Sequence, residues 1–202
     1  MSRRGRPREF DREQALDKAL RLFWCKGFDN TSIAELTQSL AINPPSLYAA
    51  FGSKEKLFEE ALARYISSYG SGIWNHLEAE GSARDAIERL LLATADAYSR
   101  EALPRGCMIV LSAPQPEAGN EKVGEALRNL RLENQTRLEA RLQRAVREGE
   151  LPASIDTAAM ARFFACVQHG LSIQARDGAP REALRSVAAG ALAAWDGLAS
   201  GS

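Results

Sequence analysis

The chain has 202 residues, 45% of them hydrophobic and 26% charged, and its 26 Lys and Arg balance its 26 Asp and Glu. That composition excludes a disordered chain, and the zero net charge excludes a protein that coats nucleic acid over its whole surface. No apolar run approaches the ~18 residues that a membrane span needs.

The N-terminus is locally basic. Its first eight residues hold four arginines and no acid, with no apolar stretch behind them, so it does not read as a signal peptide and the chain is expected in the cytoplasm. Arg3, Arg4 and Arg6 form an arm able to reach into a DNA minor groove. A first helix is predicted from Asp11 to Lys26, with Asp11 and Gln14 at capping-box spacing and Gly27 as its stop. A short second helix runs from Ser32 to Ser39, with Ser32 and Glu35 again at capping-box spacing. Asn43-Pro44-Pro45 starts a third, because proline fits a first turn where its missing N–H is no loss. After Gly52-Ser53 a longer helix begins near Lys54 and reaches about Tyr69, where Gly70-Ser71-Gly72 breaks the chain.

Beyond that joint, amphipathic helices are predicted at about Ser82–Glu101, Cys107–Ser112, Glu121–Glu148, Ile155–Arg176 and Pro180–Ala199. Pro104-Arg105-Gly106 and Pro114-Gln115-Pro116 separate them. No segment shows the period-two pattern of a strand. The expected fold is all-α: an N-terminal three-helix helix-turn-helix module at 1–53, including the arm at 1–8, followed by a larger C-terminal helical domain at 54–202.

The stretch from Thr31 to Phe51 carries the chemistry. Ile33, Leu36, Leu40, Ile42, Leu47 and Phe51 supply a small core for two helices and a tight turn. Pro44, Pro45, Ser46, Tyr48 and Ala49 are left outward on the second of them. Between Glu35 and Glu55 there is no acid, and the one charge is Lys54. A surface that approaches phosphates must avoid carboxylates, since DNA carries one negative charge per ~1.7 Å of axis. Tyr48 can donate its hydroxyl to a phosphate and Lys54 can pair with another, aided by the start of the following helix. The bland alternative, a compact helical hairpin in a core, stays open on periodicity alone.

From Gly5 to about Tyr65 the sequence resembles the DNA-binding domain of the tetracycline-repressor (TetR/AcrR) family. Gly27-Phe28, Thr31-Ser32-Ile33-Ala34-Glu35-Leu36 and Ser46-Leu47-Tyr48-Ala49-Ala50-Phe51-Gly52-Ser53-Lys54-Glu55-Lys56-Leu57 follow its pattern in order and spacing. The resemblance implies a repressor that binds a palindromic operator as a dimer and is released by a small-molecule inducer. It also implies that Thr31, Tyr48 and Lys54 hold phosphates, while Pro44, Pro45 and Ser46 face base edges; Ser32 is a further DNA-binding candidate. The Pro44-Pro45 pair departs from the polar or small residues usual there, and favours apolar contact with thymine methyls and shape complementarity over hydrogen-bond readout.

In such a protein the C-terminal domain dimerises and binds the inducer. Ala158, Ala159, Ala161, Ala165, Gly170 and the Ala188–Ala194 stretch allow close helix approach, so the last two helices, about 155–176 and 180–199, are expected to form the homodimer. The alternative is that they pack only within one chain. Ile87, Leu91, Thr94, Cys107, Met108, Leu111, Leu127, Leu130 and Phe164 are candidates for a ligand pocket, with Tyr98, Asn134 and His169 as its scarce polar groups. Each also fits an ordinary core position, and Trp74 and His76 fit surface or interface as well as pocket. Cys107, just past a break, reads as a thiol sensor or an inert buried thiol, and Cys25 and Cys166 as core residues.

No metal or cofactor is expected. The three scattered cysteines and two histidines give no CxxC and no paired spacing, and there is no GxSxG, phosphate-binding glycine loop or HExxH, so the chain is not read as an enzyme. A helical scaffold with a degenerate DNA module is the alternative function.

Overall fold

The computed structural model describes residues 10–112 and 119–200. Arg3, Arg4 and Arg6, and the Pro114-Gln115-Pro116 break, lie outside the described residues. Helix α1 (Arg12–Lys26) begins where Asp11 accepts the Gln14 N–H at 3.0 Å, one half of the expected box, and ends at Gly27. Helix α2 (Ile33–Leu40) opens on a complete capping box: the Ser32 hydroxyl accepts the Glu35 N–H at 3.2 Å and Glu35 accepts the Ser32 N–H at 2.9 Å. Helix α3 (Pro44–Phe51) and helix α4 (Lys54–Tyr65) follow, the latter capped by Ser53.

Their apolar faces form one core. Ala15, Leu16, Ala19, Leu20 and Phe23 of α1 are buried, as are Leu57, Phe58, Ala61 and Leu62 of α4, with Leu36, Leu40, Leu47 and Phe51 closing the α2–α3 side. Phe58 meets Phe23 edge-on at 5.1 Å and Phe28 at 5.3 Å between ring centroids. Each such large side chain contributes about 1.5–3 kcal/mol by leaving water. Ion pairs Arg12–Glu60 and Arg64–Asp17 tie α1 to α4 at the rim.

Gly70 and Gly72 do not break the chain as expected. The helical path from α4 continues through a π turn (Ile66–Gly70), helix α5 (Ser71–Trp74) and a 3-10 turn (Asn75–Leu77), with Gly70 in the helical region at φ −77°. Tyr65, Ile73, Trp74 and Leu77 are buried along this path, and that burial outweighs the weak helix preference of glycine.

The larger bundle comprises α6 (Ala83–Tyr98), α7 (Met108–Leu111), α8 (Glu121–Arg147), α9 (Thr157–Arg176), α10 (Arg181–Ala193) and α11 (Trp195–Ala199). The expected last helix is thus divided at Ala194, and α6 ends before Glu101. Helix α6 is central, with Ala86, Ile87, Leu90, Leu91 and Ala95 buried against its neighbours. Asp96 on α6 accepts from both Arg181 and Arg185 of α10 at 2.6–2.9 Å, which holds its carboxyl well below the usual range, Arg185 contributing most.

The two bundles meet at α7. Trp24 Nε1 donates to the Gly106 carbonyl at 3.0 Å, Ser112 Oγ to the Phe23 carbonyl at 3.3 Å, and Asn120 Nδ2 to Asp29 at 2.9 Å. Cys25 and Cys166 are exposed, against the expectation that both are core. Each lies two positions beyond a buried phenylalanine, Phe23 or Phe164, about 200° around the helix from it. Among the described residues there is no strand, and no helix long and apolar enough to cross a membrane.

Candidate nucleic-acid interface and effector cavity

The α2–α3 turn is set by Ala41, the one non-glycine with positive φ (+57°) among the described residues. Its N–H returns to the Gln38 carbonyl and that of Ile42 to Thr37, which ends α2 and redirects the chain. Asn43 then caps α3, its Oδ1 accepting the Ser46 N–H at 2.9 Å, and Pro44 and Pro45 occupy the first two helical positions. Leu47 and Phe51 anchor α3 inward. Pro44, Pro45, Ser46, Tyr48 and Ala49 are all exposed, Tyr48 at 46%. This outward face carries no acid. Ser32 is exposed at the start of α2, while Glu35 is turned back onto Ser32 and the Lys26 ammonium. Lys26 first, then the Ser32 N–H and hydroxyl, hold the Glu35 carboxyl down at about 2.

Thr31 stands apart from the other expected phosphate contacts. Its side chain is fully buried and its hydroxyl donates to the Gly27 carbonyl at 2.7 Å, so it braces the α1–α2 corner and presents no hydroxyl outward. Lys54 is half-buried, its ammonium 4.2 Å above the Phe28 ring, and burial lowers its pKa against the pull of Asp29, Glu55 and Glu35. That stacking fixes the start of α4 beside the exposed face of α3.

A cavity of about 140 Å³ opens inside the larger bundle. Tyr98, Cys107, Leu130 and Asn134, expected as pocket residues, all line it, and so does Trp74. Ile87, Leu91, Met108, Leu127 and Phe164 do not: each is fully buried in the core between helices. Leu111 packs its Cδ1 toward Gly106, and His169 is half-buried elsewhere, its pKa lowered by burial and then by Arg131. Thr94 is also a core residue.

The wall that the residue-by-residue reading missed comes from the α4–α5 path: Tyr65, Ile66, Gly70, Ile73 and Asn75, with Glu133 and Arg137 of α8. The signal was present, since Tyr65, Tyr69, Ile73 and Leu77 repeat every four residues straight across the glycines. At the cavity floor the Cys107 thiol neighbours the Tyr65 and Tyr98 hydroxyls. Both phenols are pushed well above their usual range, by burial first and then by Cys107. Gln168 donates to the Tyr98 hydroxyl at 2.5 Å, and Ser172 Oγ accepts the Cys107 N–H at 2.8 Å.

Residues 15–61 match the sequence family described as "Bacterial regulatory proteins, tetR family", and residues 83–190 match "Tetracyclin repressor-like, C-terminal domain". The HTH-type transcriptional repressor ComR of Escherichia coli (strain K12) is 33% identical over 196 residues, covering 96% of this chain and 93% of that protein. The repressor BdcR of the same strain is 42% identical over 106 residues, 52% of this chain and 54% of that protein. Among solved structures, a cysteine-substituted form of the TetR family transcriptional regulator CifR, complexed with 26-bp double-strand operator DNA, is similar at 43% identity and TM-score 0.89, over 95% of this chain and 100% of that one.

Proposed function

The chain belongs to the TetR family of bacterial regulatory proteins, and from that premise we propose that it is a repressor that binds a palindromic operator as a homodimer and leaves it when a small molecule enters the cavity. The observation that carries this reading is the likeness, over nearly the whole chain, to a regulator held on operator DNA. On this chain the DNA-reading surface is the acid-free exposed face of α3. Tyr48, Ser32 and Lys54 supply phosphate contacts, Pro44, Pro45 and Ser46 meet base edges, and the N-terminal arginines follow the adjacent minor groove. Thr31 serves by bracing that surface from behind. Such a protein works in the cytoplasm, where operator DNA is, and acts as a regulator rather than an enzyme.

Dimerisation assigns a purpose to features that one chain leaves open. Ile173 and Val187 are about half exposed on α9 and α10, and a Cβ at Gly170 or Gly190 would meet nothing within 4 Å. Small residues facing empty space allow a second pair of helices to approach closely, giving an isologous four-helix contact. The division falls near residue 53 along the chain, and α4 beyond it packs Leu57, Phe58, Ala61 and Leu62 back into the core of the DNA module.

Induction follows from the helical path. Lys54 sits beside the DNA face, and the same run of turns carries Ile66, Gly70, Ile73 and Trp74 into the cavity wall. The cavity, at about 140 Å³, is smaller than the ~300–1,000 Å³ of typical ligand sites, so a ligand of ordinary size must widen it. The π turn (Ile66–Gly70) joins α4 directly to that wall, so its displacement swings α4. The two α3 helices of the dimer then depart from the ~34–36 Å spacing of one helical turn of DNA. Selection from a random duplex pool tests the DNA reading. It should return an inverted repeat with half-sites about one turn apart, and recovery of no common sequence would refute it.

A further inference from the structure

The C-terminal half of α8 holds Arg137, Arg141, Arg144 and Arg147, spaced by four, three and three residues and so aligned along one helix face. With Leu77, Glu78 and Ala140 they line a groove of about 320 Å³, four guanidinium groups to one carboxylate. The groove is remote from the DNA face. Helix α8 begins beside Asn120, which bonds Asp29 of the N-terminal module, and its 27 residues rise about 40 Å to Arg147.

The floor of the groove is chemically incomplete. Arg141 is only 3% exposed, and its Nη2 donates to the Gly81 carbonyl at 2.6 Å. Its nearest carboxylate, Glu150, stands 3.9 Å away and is engaged instead by the Ala83 N–H, at 2.6 and 2.9 Å from its two oxygens. Nε and Nη1 of Arg141 are buried without a hydrogen-bond partner. A buried guanidinium with unsatisfied donors is costly unless an acceptor completes it. At the rim, Arg137 pairs with Glu78 and Arg144 with Glu148, both at 2.8 Å, and these exposed pairs exchange partners easily.

We propose that this groove binds a small multivalent oxyanion, a compound with two or more carboxylate or phosphate groups, seated on Arg141 and clasped by Arg144 and Arg147. Bidentate guanidinium pairing suits such groups, and the volume admits a small metabolite. Arg137 links the groove to the effector cavity, since it lines both and its Nη2 also bonds the Trp74 carbonyl at 3.3 Å. An anion that draws Arg137 away frees the Trp74 wall, making it a second effector; this coupling, though not the binding, rests on the repressor reading.

The test is calorimetric titration of the full-length protein with pyrophosphate and, separately, citrate, at constant ionic strength. Saturable binding of one anion per chain is expected, with the preferred probe distinguishing phosphate from carboxylate ligands. Arg144→Gln with Arg147→Gln should weaken it roughly tenfold to a hundredfold, as loss of charge-assisted bonds does. Lys122→Gln with Arg128→Gln, at the other end of α8, should leave it unchanged. Arg141→Gln should abolish it, and the exposed pair decides the matter if that variant does not fold. No saturable binding of either probe, equal weakening by both double variants, or binding of a hexaglutamate peptide alone would each overturn the site. Pyrophosphate or citrate binding that leaves operator affinity untouched overturns the coupling; operator binding without anions reports on the repressor reading separately.

Discussion

Replacing Gly106 with alanine probes the contact on which the two bundles depend. Gly106 has φ +79°, and a Cβ there would lie 2.5 Å from Leu111 Cδ1 and 2.6 Å from the Ser172 carbonyl oxygen. Leu111 can rotate away, but the Ser172 carbonyl belongs to the backbone of α9 and cannot. The left-handed conformation costs an alanine about 1–2 kcal/mol, and overpacking against fixed backbone a further ~1–3 kcal/mol. The same displacement disturbs the Trp24–Gly106 and Cys107–Ser172 hydrogen bonds that join α1 to α9. A loss of about 2–5 kcal/mol lowers the melting temperature of a chain of this size by roughly 4–20 °C. Circular-dichroism melting at one fixed protein concentration measures it. A melting temperature within about 2 °C of the parent would refute the claim that this close approach is required.

Tyr48→Ala should weaken operator binding while changing stability by no more than about 0.5 kcal/mol, because the ring is exposed on α3 and packs little; anisotropy and melting read the two effects apart. Asn43→Ala removes the cap of α3 and should cost about 1 kcal/mol, seen as a lower urea midpoint with an unchanged m-value. Acid should selectively loosen the helix-turn-helix. Because Lys26 and Ser32 hold the Glu35 carboxyl at about 2 against an ordinary 4.5, its contribution is whole above 4.5 and fades as pH falls toward 2. Glu35→Gln should therefore flatten that part of the melting-temperature profile, and an unchanged profile would contradict the pairing.

The DNA module was readable because its determinants are local. Capping residues, Asn43-Pro44-Pro45 and the burial of Leu36, Leu40, Leu47 and Phe51 all follow from spacing within about twenty residues. Thr31 was misjudged for the same reason: its partner is the Gly27 carbonyl, a backbone group that no side-chain pattern advertises. The cavity was legible only in part. Its members come from four separated segments, and burial alone does not say whether Leu127 faces a cavity or a neighbouring helix. Glycines at 70 and 72 suggested an end to α4, yet the four-residue repeat from Tyr65 to Leu77 shows that burial continued through them. Cysteines at 25 and 166 looked apolar by type, but helix phase placed them outward.

The most direct measurement is fluorescence anisotropy of a duplex from the promoter region adjoining this protein's own gene, titrated at several salt concentrations. Saturable binding at least ~10³-fold tighter than to a shuffled duplex is expected, with log affinity falling linearly in log salt. Lys54→Gln should reduce that slope by about one. Equal affinity for the shuffled duplex, or affinity indifferent to salt, would contradict a repressor that reads its operator through α3.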